Sequence, residues 1–311
     1  MAHFRIGTRG SPLALWQAHF VAGELRAKIP DVRVELVEIQ TTGDRVTDVP
    51  LTSFGGEGVF TKAIQDALLS QRVDIAVHSL KDLPTVVIPG LTLAAVPPRG
   101  PTGDALVSHK WRRFDDLPPK ATLATSSLRR RAQLLHRRPD LNLVEIRGNV
   151  DTRLRKLVEH DFDATILAEA GLIRLGLERH IAEVLDATWM LPAVGQGALG
   201  IECRSDDAAC RAALAVLDDA ATHSAVLAER ALLRRLGGGC HMPVGARGIV
   251  DGDELTLHAA VVSPDGTRRL ACRRTGQRAD CETLGIGVGT ELLSQGAEEI
   301  LNLKSERPID H

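Results

Sequence analysis

The chain has 311 residues, 44% hydrophobic and 25% charged, enough for two or three domains with full cores. Its net charge of −2 excludes the basic domain expected of a non-specific nucleic-acid binder. An aromatic content of 3%, with no tyrosine, leaves no obvious platform for stacking bases.

Phe4–Thr8 reads as a strand, and Ser11-Pro12 as an N-cap followed by proline at the first helical position. Leu15, Ala18, Ala22, Leu25 and Ile29 then recur at helical spacing until Pro30. Val32–Gln40 alternates as a strand, Gly55-Gly56-Glu57-Gly58 reads as a loop, and Phe60–Leu69 as a helix. Val73–Val77 is a short apolar strand running into His78-Ser79-Leu80-Lys81-Asp82-Leu83-Pro84. Pro97-Pro98-Arg99-Gly100-Pro101 is a rigid candidate linker. Alternation resumes with strands at Thr122–Thr125, Leu141–Ile146 and Ala164–Ala168, and helices at Leu128–Arg137 and Val150–Glu159. Such alternation implies α/β lobes with mainly parallel sheets. Leu191 to Gly197 is a second candidate hinge. The last third predicts a helix over Ser224–Leu236 and strands at Ala246–Val250, Glu254–Val262 and Arg269–Arg274. A helix over Glu282–Leu303 completes a small α+β unit with an antiparallel sheet.

Two strand-to-helix junctions carry arginines: Thr125-Ser126-Ser127-Leu128-Arg129-Arg130-Arg131 and Arg147-Gly148-Asn149-Val150-Asp151-Thr152-Arg153. Helix N-termini favour anions, and the guanidinium fork matches carboxylate or phosphate with two parallel bonds. Together they suggest a pocket for a ligand with several negative charges; the bland alternative is a solvated basic face. Gly7-Thr8-Arg9-Gly10-Ser11 repeats this logic. Asp82 follows an apolar strand, where α/β sheets bind ligands, and an ordinary aspartate is ionised at neutral pH. It could stabilise a developing cation or relay protons, or simply cap a helix or pair with a basic neighbour. Cys240, behind Gly237-Gly238-Gly239 and before His241, is more available than a core thiol, although most lone cysteines are small buried hydrophobes.

No apolar run approaches a membrane span, and Met1–Ile6 lacks the pattern of a signal peptide. Five scattered cysteines without a Cys-x-x-Cys pair favour reduced thiols in the cytoplasm. The histidines lack zinc spacing, so no metal site is expected.

Taken in order over nearly the whole chain, several segments resemble the porphobilinogen deaminase (hydroxymethylbilane synthase) family. They are Thr8 to Gln17, Asp74 to Pro84, Thr125 to Arg130, Leu143 to Leu154 with its Arg-Gly-Asn-Val core, Leu191 to Ala198 followed by Gly200 to Arg204, and Gly238-Gly239-Cys240. The resemblance implies two lobes like those of periplasmic binding proteins and a small third domain. Residues 1–97 with 198–216 would form the first domain, 101–193 the second and 220–311 the third. It implies a dipyrromethane cofactor held by a thioether to Cys240 and assembled from the substrate itself. Four porphobilinogen molecules would be joined head to tail on this primer, each losing ammonia to become an electrophilic azafulvene. Hydrolysis would release hydroxymethylbilane.

By the same resemblance Asp82 is the catalytic carboxylate. Lys81, Asp82, Ser127, Arg129, Arg130, Arg147, Gly148 and Arg153 hold the cofactor. Arg9, Ser11, Arg147, Arg153 and Gln196 serve the substrate. Arg131 and Arg155 are candidates for the solvent face. Many bacterial members carry lysines where this chain has Glu57 and Ser53, which puts a lysine contact at this loop in doubt, and Lys62 is not an assumed substitute. The implied partners are porphobilinogen and, for hand-over of product, uroporphyrinogen-III synthase. No nucleic acid or membrane is implied, and the expected state is a monomer. A non-catalytic anion-binding protein on the same two-lobed fold is the competing class.

Overall fold

A computed structural model describes residues 2–41, 61–239 and 242–302. The chain opens with β1 (His3–Thr8), α1 (Pro12–Lys28), β2 (Arg33–Glu38), α2 (Lys62–Leu69), β3 (Ile75–Ser79) and β4 (Leu91–Ala95). It crosses to a second lobe of β5 (Asp104–Val107), β6 (Thr122–Ala124), α3 (Leu128–Arg137), β7 (Asn142–Val144), α4 (Val150–Glu159), β8 (Ala164–Ala168), α5 (Glu169–Arg174) and β9 (Ile181–Val184). It returns through β10 (Leu199–Arg204) and α6 (Ala208–Ala215). A small unit ends the described chain: α7 (Ala220–Arg235), β11 (Val244–Asp251), β12 (Glu254–Val262), β13 (Arg269–Gln277), α8 (Cys281–Ser294) and α9 (Ala297–Asn302).

The lobes share one topology, with sheet orders β2-β1-β3-β10-β4 and β7-β6-β8-β5-β9. The mainly parallel sheets expected from the sequence are mixed sheets here. In each, two pairings are parallel and two antiparallel. Strand–helix–strand crossovers build the parallel half. The antiparallel strands β10 and β5 are each the first strand after the chain has crossed from the other lobe. β4, β5, β9 and β10, with the short helices α5 and α6, escaped the sequence reading. The single final helix is split at Gln295-Gly296, where Gly296 takes a φ of +96° that side chains disfavour. Its expected end at Leu303 lies outside the described residues.

Local signals account for the helices that face the cleft. The Ser11 hydroxyl accepts from Ala14 N at 3.4 Å and Pro12 starts α1. Ser127 accepts from Arg130 N at 3.4 Å to cap α3, and Asn149 accepts from Thr152 N at 2.9 Å to cap α4. Each cap satisfies a donor that the first helical turn leaves orphaned.

The two candidate linkers run side by side between the lobes. Gly100 N donates to Gly197 O at 3.2 Å. Gly197 has a φ of +85°, and a Cβ there would lie 2.5 Å from Gly100 O, so the contact requires glycine. The small unit lays α7 and α8 on its three-stranded antiparallel sheet, with Ala228, Leu232, Leu257, Val288 and Leu292 in the core. It fastens to the crossing through Glu229, which is fully buried. Glu229 accepts from Arg99 in a two-pronged pair at 2.7 and 3.0 Å, from Gly195 N at 2.7 Å and from Gly248 N at 2.8 Å. Removing this carboxylate strands a largely covered guanidinium and two amides. Glu229→Ala is therefore expected to destabilise the protein by about 3–5 kcal/mol in urea unfolding.

Candidate functional site

Beyond the carboxyl end of β3 the chain turns through Leu80–Asp82, and two adjoining cavities open there, sharing Leu13 and Ser79. The first is lined by Arg9, Ser11, Gln17, His78 and Asp82. The second is lined by Lys81, Arg130, Arg153 and Arg174, with the glycines of the returning crossing, Gly195 and Gly197, forming part of its wall. The second cavity thus gathers cations from both lobes.

Arg130 is buried, and Lys81, Arg153 and Arg174 are partly withdrawn from water. Burial pulls Lys81 down to about 8, against the opposing pull of nearby Asp82. Burial also lowers Arg153 to about 10, aided by Arg130, and lowers Arg174. Partly desolvated positive charge is costly, and a bound anion lowers that cost. The donor set therefore fits a ligand carrying several carboxylates.

Three consecutive residues on α3 face three ways. Arg130 lines the cavity, with Nε and a terminal nitrogen on Asp104 Oδ1 at 3.0 and 2.7 Å and its other arm on Ile166 O at 2.8 Å. Arg129 turns into the core, 2.6 Å from Asp104 Oδ2 and 2.6 Å from Leu191 O, and lines neither cavity. Arg131, a candidate for the solvent face, instead bonds Leu143 O at 2.9 Å. Burial would raise the Asp104 carboxyl, but Arg129 and Arg130 outweigh it and hold it well below the usual carboxylate range.

The second junction is tied to the first through Ser126, which donates to Ile146 O at 2.8 Å and accepts from Ile146 N at 3.1 Å. Gly148, at a φ of +116°, turns its carbonyl to Arg153 Nε at 2.9 Å. Arg147 is partly buried, 3.4 Å from Glu145. Arg155 faces solvent and pairs with Glu159 at 2.8 Å.

Ser127 and Gln196 are engaged elsewhere than the sequence suggested. The Ser127 hydroxyl caps α3. Gln196 is 1% exposed, lines neither cavity, and its Nε2 reaches Thr102 O at 2.8 Å and both Gly103 O and Asp104 Oδ1 at 3.1 Å. It belongs to the crossing, where a buried amide must find partners in the neighbouring strand.

Cys240, His241, Ser53 and the loop with Glu57 lie outside the described residues. Their described neighbours are informative. A Cβ on Gly238 would lie 2.9 Å from Thr85 Oγ1, and Arg230 bonds Leu83 O at 3.0 Å and Pro84 O at 2.7 Å. The glycine run before Cys240 therefore abuts the segment just after Asp82.

Sequence reasoning missed Asp104, Gln17, His78 and Arg174. Arg174 sits at the end of α5, donates to Gly197 O at 2.6 Å and lies 5.5 Å from the Trp16 ring centroid. No motif marks it. Gln17 and His78 lie inside segments that resemble the family, and their helix-face and strand-end positions are the signal the sequence offers. Among the described residues, no group of three or more His, Cys, Asp or Glu side chains could hold a metal ion, and no helix is long and apolar enough to cross a membrane.

Residues 4–212 match the family model for porphobilinogen deaminase, dipyromethane cofactor binding domain, and residues 223–294 match that for porphobilinogen deaminase, C-terminal domain. The chain belongs to the porphobilinogen deaminase family. Family members from Geobacter metallireducens and Trichlorobacter lovleyi, both named porphobilinogen deaminase, are 51% and 50% identical to it. The alignments cover 98% and 99% of this chain and 96% and 98% of theirs. Among solved structures, that of the methionine binding protein MetQ overlaps 69% of this chain and 89% of its own, with a TM-score of 0.46 at 15% identity.

Lys81 gives the cationic cavity a pH response. Its ammonium is charged below about pH 8 and neutral above it. The affinity of the cofactor-free protein for a small polycarboxylate should fall by up to roughly tenfold between about pH 7 and pH 9, as a single titrating group requires. Calorimetric titration reads this directly, and Lys81→Met should flatten the dependence.

Proposed function

We propose that this protein is a hydroxymethylbilane synthase. It condenses four porphobilinogen molecules head to tail on a covalently held dipyrromethane, releases ammonia at each step, and frees hydroxymethylbilane by hydrolysis. The observation that carries this reading is the gathering of Lys81, Arg130, Arg153 and Arg174 around one cavity beside Asp82, in a chain of this family. Each pyrrole ring of the substrate brings an acetate and a propionate. A chain that grows by two carboxylates per step needs desolvated cations along its course.

The cofactor, when bound, supplies the free pyrrole α-carbon to which substrate is joined. The protein's part is to hold carboxylates, orient rings and stabilise charge. Lys81, Arg130, Arg147 and Arg153 hold cofactor and chain carboxylates, and Arg174 adds a further donor. Arg9 and Ser11 receive incoming substrate. Arg129, Ser127, Gly148 and Gln196 serve through placement: a core pair, a helix cap, a left-handed turn and an anchor for the crossing. Asp82 accepts pyrrole N–H groups and faces the positive charge that develops on a ring as ammonia departs. Cys240 is the attachment point, supported by the contact of its preceding glycines with Thr85, three residues past Asp82.

The same reading takes 1–97 with 198–216, 101–193 and 220–311 as the domains, in keeping with sheet membership. It has the enzyme work as a monomer in the cytoplasm and pass its product to uroporphyrinogen-III synthase.

Intact mass is the first test. Active protein should exceed its sequence mass by two linked pyrrole units, carried on the peptide containing Cys240. Active protein of unmodified mass would overturn the covalent attachment. Asp82→Asn should keep the added mass and lose about 100-fold or more in turnover, since it removes charge with little change in volume. Near-normal turnover in that variant would remove Asp82 from its role.

A further inference from the structure

Three buried side-chain polar atoms have no hydrogen-bond partner among the described residues: Thr61 Oγ1, His78 Nε2 and Gln196 Oε1. Two of the three belong to residues lining the same cavity, the one that also holds Arg9, Ser11 and Asp82. Thr61 is 2% exposed and His78 5%. A buried polar atom left unpaired costs about 1–3 kcal/mol, so two at one cavity point to a ligand group that completes them.

The surroundings give that group its sign. β3 and β10 pair antiparallel, with His78 opposite Gly200 and Ala76 opposite Glu202. His78 and Glu202 therefore share the sheet face covered by α2, one step apart on the diagonal. Glu202 Oε2 lies 3.2 Å from His78 Nε2, outside hydrogen-bond alignment, and accepts from Gln65 Nε2 at 3.0 Å. Glu202 is itself 5% exposed, and His78 is the only basic side chain in ion-pair reach of it among the described residues. The cavity is thus polarised, with Arg9 and Ser11 suited to a carboxylate and Thr61, His78 and the carboxylate behind them suited to a cation that donates hydrogen bonds.

Porphobilinogen, the substrate on the reading above, carries both kinds of group. We propose that Thr61 and His78, backed by Glu202 and Gln65, form the subsite that receives its aminomethyl group as an ammonium. The hydroxyl and the imidazole accept N–H bonds, and Glu202 supplies the opposing charge. Holding the nitrogen as ammonium makes it a better leaving group. The C–N bond then breaks with both electrons staying on nitrogen, ammonia departs neutral, and the positive charge passes to the pyrrole ring beside Asp82. Thr61 and His78 contact substrate; Glu202 and Gln65 are positioning residues.

The test compares two substrates on the holoenzyme: porphobilinogen, and the analogue with a hydroxyl in place of the amine and the same acetate and propionate. The readout is the ratio of their kcat/KM values. Thr61→Val and the isosteric Glu202→Gln should each lower that ratio by roughly tenfold or more, the scale of a lost bond to a charged group, while turnover of the hydroxyl analogue stays within about threefold. Thr61→Ser, which restores the hydroxyl, should recover the ratio. A parallel fall for both substrates would reduce these residues to packing and overturn the subsite, as would a ratio that does not move. Wild-type protein that turns over neither substrate would overturn the function itself, and the subsite with it.

Discussion

Two guanidinium groups share one carboxylate at the heart of this molecule. Asp104 stands at the start of β5, shut off from water, and receives hydrogen bonds from Arg129, Arg130 and Gln196. One negative charge cannot balance two arginines, so the cluster keeps positive charge in surplus at the edge of the cleft. The geometry assigns that surplus. Arg129 is spent on the core and on Leu191 O, whereas Arg130 is presented to the cavity with its fork already fixed. A donor held in place in advance loses little freedom when an anion binds it.

The contrast with Glu229 is instructive. That carboxylate faces one guanidinium, on Arg99, and two backbone amides, so its charge and its hydrogen bonds close upon themselves. It binds α7, β11 and the crossing into one piece. Two buried acids on either side of the same pair of crossing segments thus have opposite balances. The neutral one holds the small unit on. The cationic one opens towards ligand, and through Gln196 and Leu191 it touches the very segment along which the lobes are joined.

The helices at the cleft were legible in the sequence because their signals are local: a Ser127 or Asn149 cap, an apolar stripe, a terminating residue. β12 and β8 were legible by alternation or by apolar run. β4, β5, β9 and β10 were not, being four to six residues long and set apart by turns with no helical partner to announce them. Strand direction was illegible for a further reason, since it depends on which lobe the chain has just left. For the site, the arginine junctions announced an anion. Neighbouring residues on a helix point about 100° apart, so a run of three arginines cannot all face one ligand. Nothing in the sequence says that Arg130 is the one that does. Asp104, a single acid after a Pro- and Gly-rich stretch, gives no sign of the partners that make it central.

The order of strands in the first sheet has a temporal meaning. Among the described residues β4 pairs with β10 alone, and β10 is made about a hundred residues later, after the entire second lobe. The second lobe's strands, from β5 to β9, form an uninterrupted stretch of chain. During synthesis the second lobe can therefore close while the first is still missing the strand that links β3 to β4. That late strand also carries Glu202, which stands 3.2 Å from His78 of the first cavity, so the backing of His78 is in place only when the sheet is complete. The cleft is a product of the last closure in the two lobes, not a gap left between two modules that were complete beforehand.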